Sequence, residues 1–239
     1  MLGEIINLFY PAVCQACGKR TGAWNEHVCG GCRKKIKNRL PPFCSRCGRQ
    51  MSGNPDASMT CGDCEAEIPY YDRANSACYY EDPLKGLVHA FKYKKMTSLG
   101  NEFADTMIDF MKKYDVGGEA EIITPIPMHP KRLFKREINH SEALAKNIAL
   151  RLGLCYSKNL LGKTRDTKIQ TNLRRQERLK NMAGSFRVTD GSKIKNKNVL
   201  IVDDLFTTGS TANECARVLK ESGAARVEVV TLARGDRPT

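Results

Sequence analysis

The sequence predicts an α/β fold, in which a domain built on a parallel β-sheet follows a small cysteine-rich domain. Three stretches of the 239-residue chain indicate this organisation. Residues 199–202 are four branched aliphatics, followed by two acids, a hydroxyl-rich turn and an amphipathic run over 212–222. Residues 121–127 begin a second strand–loop–helix unit, and residues 14–64 contain four C-x-x-C pairs. Strands that alternate with helices favour a parallel sheet covered on both faces.

We place the boundary between the two predicted domains at residue 69, just before the aromatic pair Tyr70 and Tyr71. Residues 1–69 form the cysteine-rich part and residues 70–239 the sheet domain. The chain is long enough for one complete α/β domain and one small accessory domain.

Eight of the eleven cysteines form the four C-x-x-C pairs. The first pair of each half is followed by glycine, and these two pairs lie 30 residues apart, which indicates an internal duplication of a zinc-ribbon unit. Two residues between thiolates let one turn present both sulfurs to a tetrahedral ion. Disulfides are less favoured because nothing marks the chain for secretion. We therefore predict two structural zinc sites with sequence-local ligands, Cys14, Cys17, Cys29 and Cys32, and Cys44, Cys47, Cys61 and Cys64; a crossed arrangement is the alternative.

The remaining candidates for metal binding are expected to play other roles. Four thiolates already complete each shell, so His27 is expected to be exposed. Cys78, Cys155 and Cys215 lie in or beside apolar runs, so we expect them to pack as small hydrophobic residues.

The stretch from Asp203 to Thr211 predicts a binding site for a phosphorylated sugar. A strand, a short polar turn and a helix direct backbone N–H groups and the positive helix dipole at an anion. The two acids would repel that anion, so they need hydroxyl groups or a magnesium ion as partners. A ribose with a 5-phosphate satisfies both requirements. No lysine follows the glycine, so the stretch is not an ATP-binding P-loop.

Further elements are predicted along the chain from hydrophobic periodicity. We expect a strand over 74–80, a helix that Pro83 opens and that continues to Tyr93, a helix over 99–114, a strand over 121–127, a basic loop over 128–140, a helix over 141–152 and a closing strand over 227–232. Aromatic and basic residues are mixed over 91–95, which fits either stacking on nucleic acid or an ordinary helix end.

The net charge of +13 is concentrated in one segment. Residues 131–198 contain 18 Lys and Arg against 5 Asp and Glu, whereas the rest of the chain is neutral. A polyanion is the natural partner of such a segment, and a solvated basic surface is the alternative. Within it, residues 164–186 have few apolar anchors, so we expect an exposed lid or a nucleic-acid surface.

No apolar run approaches the ~20 residues that a membrane-spanning helix needs, and the N-terminus lacks the features of a signal peptide. We therefore expect a cytoplasmic protein without membrane insertion.

Four stretches together resemble the ComF (ComFC-like) family of phosphoribosyltransferase-domain proteins, which is associated with natural competence in bacteria. They are the cysteine pairs, residues 125–133 with the sequence PIPMHPKRL, residues 165–186 with R-x-T-x-x-Q-x-x-L, and the V-D-D-x-x-T-T-G-S-T stretch with residues 231–234. The last of them is similar to the phosphoribosyl pyrophosphate (PRPP) signature of type I phosphoribosyltransferases. The resemblance covers essentially the whole chain.

The resemblance implies a type I phosphoribosyltransferase-like sheet that binds PRPP. Asp203 and Asp204 would contact the ribose hydroxyls and, in catalysis, stabilise the cationic ribosyl transition state, with Mg²⁺ neutralising pyrophosphate. The implied contacts of the 5-phosphate are Thr207, Thr208, Gly209, Ser210 and Thr211. The implied pyrophosphate loop contains His129, Lys131 and Arg132, and the implied flexible loop contains Arg165, Gln170 and Arg178.

One segment departs from the family pattern. This chain has Arg136-Glu137-Ile138-Asn139-His140 where the family usually has Arg-Gly-Phe-Asn-Gln. Losing that glycine restricts positive φ, and Glu137 adds negative charge beside the pyrophosphate loop.

Two functions follow from the resemblance. The first is a PRPP-binding protein that assists uptake of single-stranded DNA during natural transformation, together with a helicase partner. The alternative is a genuine phosphoribosyltransferase that transfers ribose 5-phosphate to a base or amine. The sequence shows no recognisable acceptor site, which favours the first. A role in sensing PRPP would require PRPP to change DNA or partner affinity.

Overall fold

The computed structural model describes residues 12–23, 26–54, 59–93, 96, 98–136, 138–167, 177 and 181–235. The strands are β1 (Arg73–Tyr79), β2 (Ile122–Pro125), β3 (Cys155–Tyr156), β4 (Leu161–Lys163), β5 (Phe186–Val188), β6 (Asn198–Phe206) and β7 (Arg226–Arg234). The α-helices are α1 (Gly30–Lys35), α2 (Gly62–Ala66), α3 (Leu84–Tyr93), α4 (Leu99–Tyr114), α5 (Pro130–Arg136), α6 (His140–Leu152) and α7 (Ser210–Glu221), and a 3-10 turn covers Gly191–Lys193.

A five-stranded sheet with the order β1-β7-β6-β2-β3 forms the body of the protein, and every neighbouring pair is parallel. The central strand is β6, which pairs with β7 from Asn198 to Phe206 and with β2 from Val199 to Val202. The branched aliphatics at the start of β6 are all buried. The predicted central strand and the predicted parallel sheet are therefore confirmed.

Helices cover both faces of this sheet, because successive strand side chains point to opposite faces. Leu200 and Val202 pack in one core cluster with residues of α3, α4 and α6. Val199 and Ile201 pack in a second cluster with residues of α7 and of the β4–β5 hairpin. This two-layered core holds the carboxyl-terminal half of β6 in place, which contains the two acids and leads into the turn.

The cysteine-rich segment contacts the sheet along β1. The backbone N–H of Arg39 donates to Ala77 O and that of Tyr79 to Lys37 O, so residues 37–39 extend the sheet at this edge. Further along, the N–H of Ala74 donates to Arg46 O at 2.7 Å. Gly48 lies so close that a Cβ would be 2.4 Å from Ala74 O, so only glycine fits there.

The predicted loop over 128–140 is partly wrong, because α5 occupies its centre. Pro130 is the first residue of this helix, a position where its missing N–H costs nothing. The N–H of Leu133 donates to His129 O, which begins the helical pattern. The basic side chains of the expected loop therefore lie on or beside a helix.

The other predicted elements agree with the structure to within a few residues at their ends. β6 continues beyond the acid pair to Phe206, β2 ends at Pro125 instead of residue 127, and α7 begins at Ser210 instead of residue 212. Cys78 and Cys215 are buried as expected, but Cys155 is exposed, because β3 is a two-residue strand at the edge of the sheet. Among the described residues, no helix is both long and apolar enough to span a bilayer.

Candidate functional site

Two adjacent acids lie at the carboxyl end of β6, and each is held by a different partner. The Asp203 carboxylate accepts a hydrogen bond from Ser141 Oγ, at the start of α6, at 2.6 Å. It also accepts one from the backbone N–H of Asp204 at 2.9 Å. Asp204 is only 8% exposed. The acid pair therefore lies where β6 meets the start of α6.

Lys92, in the last turn of α3, forms an ion pair with Asp204. Its Nζ lies 2.7 Å from Asp204 Oδ1, and both side chains are largely buried. Burial lowers the pKa of Lys92, but the nearby Asp204 and Asp203 carboxylates outweigh it and raise the pKa above its ordinary value of 10.5. Lys92 therefore stays charged and neutralises half of the acid pair.

Asp203 is held instead by neutral donors, the Ser141 hydroxyl and the backbone N–H of Asp204. Burial and then the neighbouring Asp204 charge raise its pKa from 3.8 to about 7, although the bond from Ser141 and the charge of Lys92 oppose this. A raised pKa means that the folded state binds the proton more tightly than the unfolded state does. The Asp203 charge therefore costs stability as the pH rises from about 4 to about 7.

Replacing Asp203 by asparagine is expected to raise the free energy of unfolding by roughly 2 kcal/mol at pH 8. Asparagine still accepts the bond from Ser141 but carries no charge. At pH 4 both proteins are uncharged at this position, so the gain should vanish. Urea unfolding at the two pH values measures it, with the exposed Asp109→Asn as control. A gain of the same size at pH 4 would contradict the raised pKa.

The turn after β6 has the geometry of an anion-binding site. Gly209 caps α7 with a φ of 75°, in the left-handed region that glycine tolerates. A Cβ at this position would lie 2.6 Å from Phe206 Cζ. Thr208 Oγ1 and Ser210 Oγ lie 3.0 Å apart, and Ser210 is almost fully buried. The turn thus directs hydroxyl groups and the N-terminus of a twelve-residue helix to one place.

The residues of the implied pyrophosphate loop lie at the start of α5. His129 Nδ1 accepts from the N–H of Lys131 at 3.3 Å. Arg132 Nε lies 2.8 Å from Asp166 Oδ1, and its Nη2 donates to Thr167 O. Arg132 therefore joins this helix to the segment that follows β4.

A cavity of about 520 Å³ lies between α5 and the β4–β5 hairpin. Its lining includes His129, Lys163 and Arg187, together with Asn139 and Glu142 on either side of Ser141. Burial and then the charge of Arg132 lower the pKa of Lys163. The residues of the acid pair and of the turn do not line this cavity. The start of α6 separates the two, since Asn139 and Glu142 line the cavity and Ser141 contacts Asp203.

The predicted flexible loop is described only in part. Arg165 Nη2 donates to Asn181 O and to Ala183 O, at 3.1 and 2.9 Å, and so ties the two ends of the segment together. Gln170 and Arg178 lie outside the described residues, as does Glu137 of the departure from the family pattern.

Each half of the cysteine-rich segment gathers four sulfur atoms. The Sγ atoms within each set lie within 4.8 Å of one another, as one tetrahedral ion requires; the sets are Cys14, Cys17, Cys29 and Cys32, and Cys44, Cys47, Cys61 and Cys64. His27 belongs to neither set. The predicted sequence-local pairing is confirmed.

We expect two zinc ions per chain, one in each set of four cysteines. Each contributes on the order of 10 kcal/mol to folding of its ribbon, so chelation should unfold this segment. Metal analysis of the reduced protein measures the content. The double substitution Cys14→Ser and Cys17→Ser should halve it, and full content in that variant would show that these two cysteines do not hold a metal ion.

Sequence reasoning missed three residues that shape the site: Lys92, Ser141 and Arg234. It placed Lys92 in an aromatic and basic run that could stack on DNA. In the structure Phe91 is completely buried and contacts the His140 ring at 4.7 Å between centroids, so Phe91 is not available for stacking. Lys92 lies 112 residues from Asp204 in the chain, and no local pattern relates the two.

Comparison with known proteins extends these observations to the whole chain. A family model described as double zinc ribbon domain matches residues 5–65, and one described as phosphoribosyl transferase domain matches residues 139–239. DNA utilization protein YhgH of Salmonella typhi is 29% identical over 230 residues, which cover 95% of this chain and 99% of the relative. Competence protein F of Haemophilus influenzae is 26% identical over 230 residues, covering 95% and 98%.

Competence protein ComFC of Bacillus subtilis is 30% identical over 218 residues, which cover 88% of this chain and 85% of the relative. The chain thus combines a double zinc ribbon with a phosphoribosyltransferase-like parallel sheet, in the order that the two family models follow. It belongs to the ComF family of phosphoribosyltransferase-domain proteins.

Proposed function

We propose that this protein binds PRPP at the carboxyl end of β6 and assists uptake of single-stranded DNA into the cytoplasm during natural transformation. One observation supports PRPP as the ligand: two acids near the end of the central strand are followed by a turn with a left-handed glycine, from which a helix begins. The acids suit hydroxyl groups and the turn suits a phosphate, and PRPP carries both groups on one ribose.

In this proposal Asp203 and Asp204 accept hydrogen bonds from the ribose hydroxyls. The 5-phosphate lies at the turn, which comprises Thr207, Thr208, Gly209, Ser210 and Thr211. Two carboxylates, one of them neutralised by Lys92, leave a modest negative charge that fits a magnesium ion carried by the pyrophosphate. When bound, Mg²⁺ would supply charge neutralisation for pyrophosphate. The proposed neighbours of that group are His129, Lys131, Arg132, Arg165, Gln170 and Arg178.

Calorimetric titration of the zinc-loaded protein with PRPP and Mg²⁺ tests the ligand. We expect saturable binding that the double substitution Asp203→Asn and Asp204→Asn weakens by at least about 100-fold, or ~2.7 kcal/mol. Asp109→Asn, at an exposed position of α4, is the matched control. Equal affinity of the double variant would show that the acid pair does not contact the ligand.

The proposed role in DNA uptake rests on the relatives and on charge. Competence proteins are among the relatives, and residues 131–198 carry the entire excess of positive charge. Several cations of this segment are already paired with acids, including Lys158 with Glu142 and Lys197 with Glu121. Exposed ones remain at Arg187 and Lys195. We propose that these contact DNA phosphates and that a competence helicase is the partner which delivers the strand.

Binding of single-stranded DNA is expected to weaken steeply with salt, by a log–log slope of about −0.7 per phosphate contact. Replacing Arg187 and Lys195 together by alanine should reduce the slope by about 1.4. Fluorescence anisotropy at several salt concentrations measures it. Exposed lysines outside the segment, such as Lys34 and Lys113, provide the control. Absent or salt-independent binding would overturn the DNA proposal.

The cavity beside Ser141 favours testing transferase activity as a second candidate function. At about 520 Å³ it has room for a base or an amine. In that reaction the bond from ribose C1 to the pyrophosphate oxygen breaks, and a bond from C1 to the acceptor nitrogen forms. Acceptor-dependent release of pyrophosphate, lost in the Asp203→Asn and Asp204→Asn double variant, would establish it. A panel of acceptors without release would leave PRPP binding as the function of the site.

A further inference from the structure

Arg234 physically connects the second cysteine cluster to the strand end that carries the turn. It is the last residue of β7 and is only 5% exposed. Its Nη1 donates to the backbone carbonyl of Cys47 at 2.5 Å, and its Nη2 lies 3.9 Å from Cys47 Sγ. Its guanidinium also lies over the Phe206 ring, 4.7 Å from the centroid. One buried cation thus contacts a metal ligand and the last residue of β6.

Phe206 in turn limits the space around the phosphate-binding turn. Its ring meets the Tyr71 ring edge to face, with centroids 6.2 Å apart. A Cβ on Gly209 would lie 2.6 Å from Phe206 Cζ and 3.3 Å from the Tyr71 hydroxyl. The two rings therefore form a wall against which Gly209 packs. A displacement of Phe206 changes the shape of the turn, because no free space separates them.

The chain that leaves the second ribbon contacts the same region from another side. The N–H of Tyr70 donates to Asn213 Oδ1, in the first turn of α7, at 2.7 Å. The sulfurs of Cys44, Cys47, Cys61 and Cys64 belong to the same core cluster as Tyr71 and Phe206. By contrast, Cys14 and Cys32 of the first ribbon belong to the cluster on the opposite face of the sheet.

We propose that Arg234 is a positioning residue which makes the phosphate-binding turn depend on the metal in the second cysteine site. Metal bound by Cys47 Sγ fixes the backbone carbonyl to which Arg234 donates. That carbonyl fixes the guanidinium, and the guanidinium holds Phe206 against Gly209. Loss of the second metal frees Cys47 and lets the turn sample other shapes, whereas loss of the first metal leaves these contacts in place.

The coupling must be reciprocal, since linkage between two binding sites has one free energy. A ligand held by the turn therefore tightens zinc binding at the second site by the same factor by which that zinc tightens the ligand. The predicted coupling of affinities rests on the proposed function, with PRPP as the ligand of the turn. The predicted ordering of the turn by the second metal does not require PRPP.

Hydrogen exchange of the full chain, without PRPP, tests whether the second metal orders the turn. The double variant Cys61→Ser and Cys64→Ser removes the second site, and Cys14→Ser with Cys17→Ser removes the first. We expect amides of residues 206–213 to exchange about 10-fold faster only in the second-site variant, within the usual range of coupling energies. Equal exchange of these amides in both variants and the wild type would overturn the proposal.

Arg234→Met tests the connecting residue with both metals bound. PRPP affinity, measured by calorimetry, should fall about 10-fold. Arg73→Met is the matched control, because Arg73 also donates to backbone carbonyls, those of Tyr114 and Asp115, at the opposite end of the sheet. If Arg234→Met does not fold, Arg234→Lys keeps the charge and one donor and should show a smaller loss. Unchanged affinity in a folded Arg234 variant would contradict the assigned role.

Equilibrium competition with a chelator measures the zinc affinity of the second site. The variant Cys14→Ser with Cys17→Ser is used because it retains only that site. Saturating PRPP should raise its zinc affinity by the factor found for PRPP, and an unchanged zinc affinity would refute the coupling. If PRPP fails to bind the zinc-loaded wild type, the proposed function fails, and the exchange measurement alone decides whether the second metal orders the turn.

Discussion

Replacing Lys92 by methionine is expected to lower the free energy of unfolding by about 3 kcal/mol at pH 8. Methionine keeps most of the volume but leaves Asp204, 8% exposed, without the cation that lies 2.7 Å from it. Breaking one side of a buried ion pair costs far more than the pair itself contributes, because an uncompensated charge remains. Chemical denaturation at pH 8 measures the loss.

Two comparisons separate this effect from simple loss of packing. Adding Asp204→Asn to Lys92→Met removes the remaining charge and should recover most of the stability, which a double-mutant cycle measures as coupling. Lys85→Met, at an exposed position of the same helix, should change stability by less than about 0.5 kcal/mol. A Lys92→Met protein as stable as the wild type would show that the ion pair does not neutralise the acids.

Replacing Gly209 by alanine is expected to disrupt the turn that we propose as the phosphate site. The backbone has a φ of 75°, which costs an alanine about 1 kcal/mol. The added methyl would also lie 2.6 Å from Phe206 Cζ, and relieving that overlap costs a further 1 to 3 kcal/mol, roughly. We expect a loss of about 3 kcal/mol in stability and a loss of PRPP affinity of about 30-fold.

Gly153→Ala is the natural control, because its φ of 68° is similar but nothing lies within 4 Å of the added Cβ. It should cost only the backbone strain and leave PRPP affinity unchanged. The difference between the two variants, measured by denaturation and calorimetry, is the contribution of the contact with Phe206. Equal losses in both would mean that Phe206 moves aside freely, which would also weaken the coupling proposed through Arg234.

The partners of the acid pair bear on how a ligand can bind. Lys92 and Ser141 already contact Asp204 and Asp203. Ribose hydroxyls must therefore share these carboxylates, each of which offers a second oxygen, and need not displace the lysine. Lys92 thereby permits two adjacent acids to remain buried at neutral pH beside a proposed phosphate site, where uncompensated carboxylates would repel the ligand.

Local sequence patterns predicted most features that depend on neighbours a few residues apart, although they missed helix α5 at Pro130–Arg136. The C-x-x-C spacing predicted both cysteine sets, since two intervening residues suffice to bring a pair of thiolates together. The aliphatic run before Asp203 predicted the central strand, and the helical period of Phe103 and Met107 predicted α4 as the structure has it. The aliphatic run and the helical period each indicate which nearby residues are buried, so these two elements can be predicted without tertiary information.

The surroundings of these features follow from the packing of segments that are distant in the chain. The Lys92–Asp204 pair joins positions 112 residues apart, and Arg234 contacts Cys47 across 187 residues. Cys155 is exposed although its sequence surroundings are apolar, because β3 lies at the sheet edge. The environment of a charged side chain or of a strand at the sheet edge depends on segments that are distant in the chain. The pKa values of the acids, their ion-pair partners and the contact between Arg234 and Cys47 therefore follow from the fold and from no local pattern.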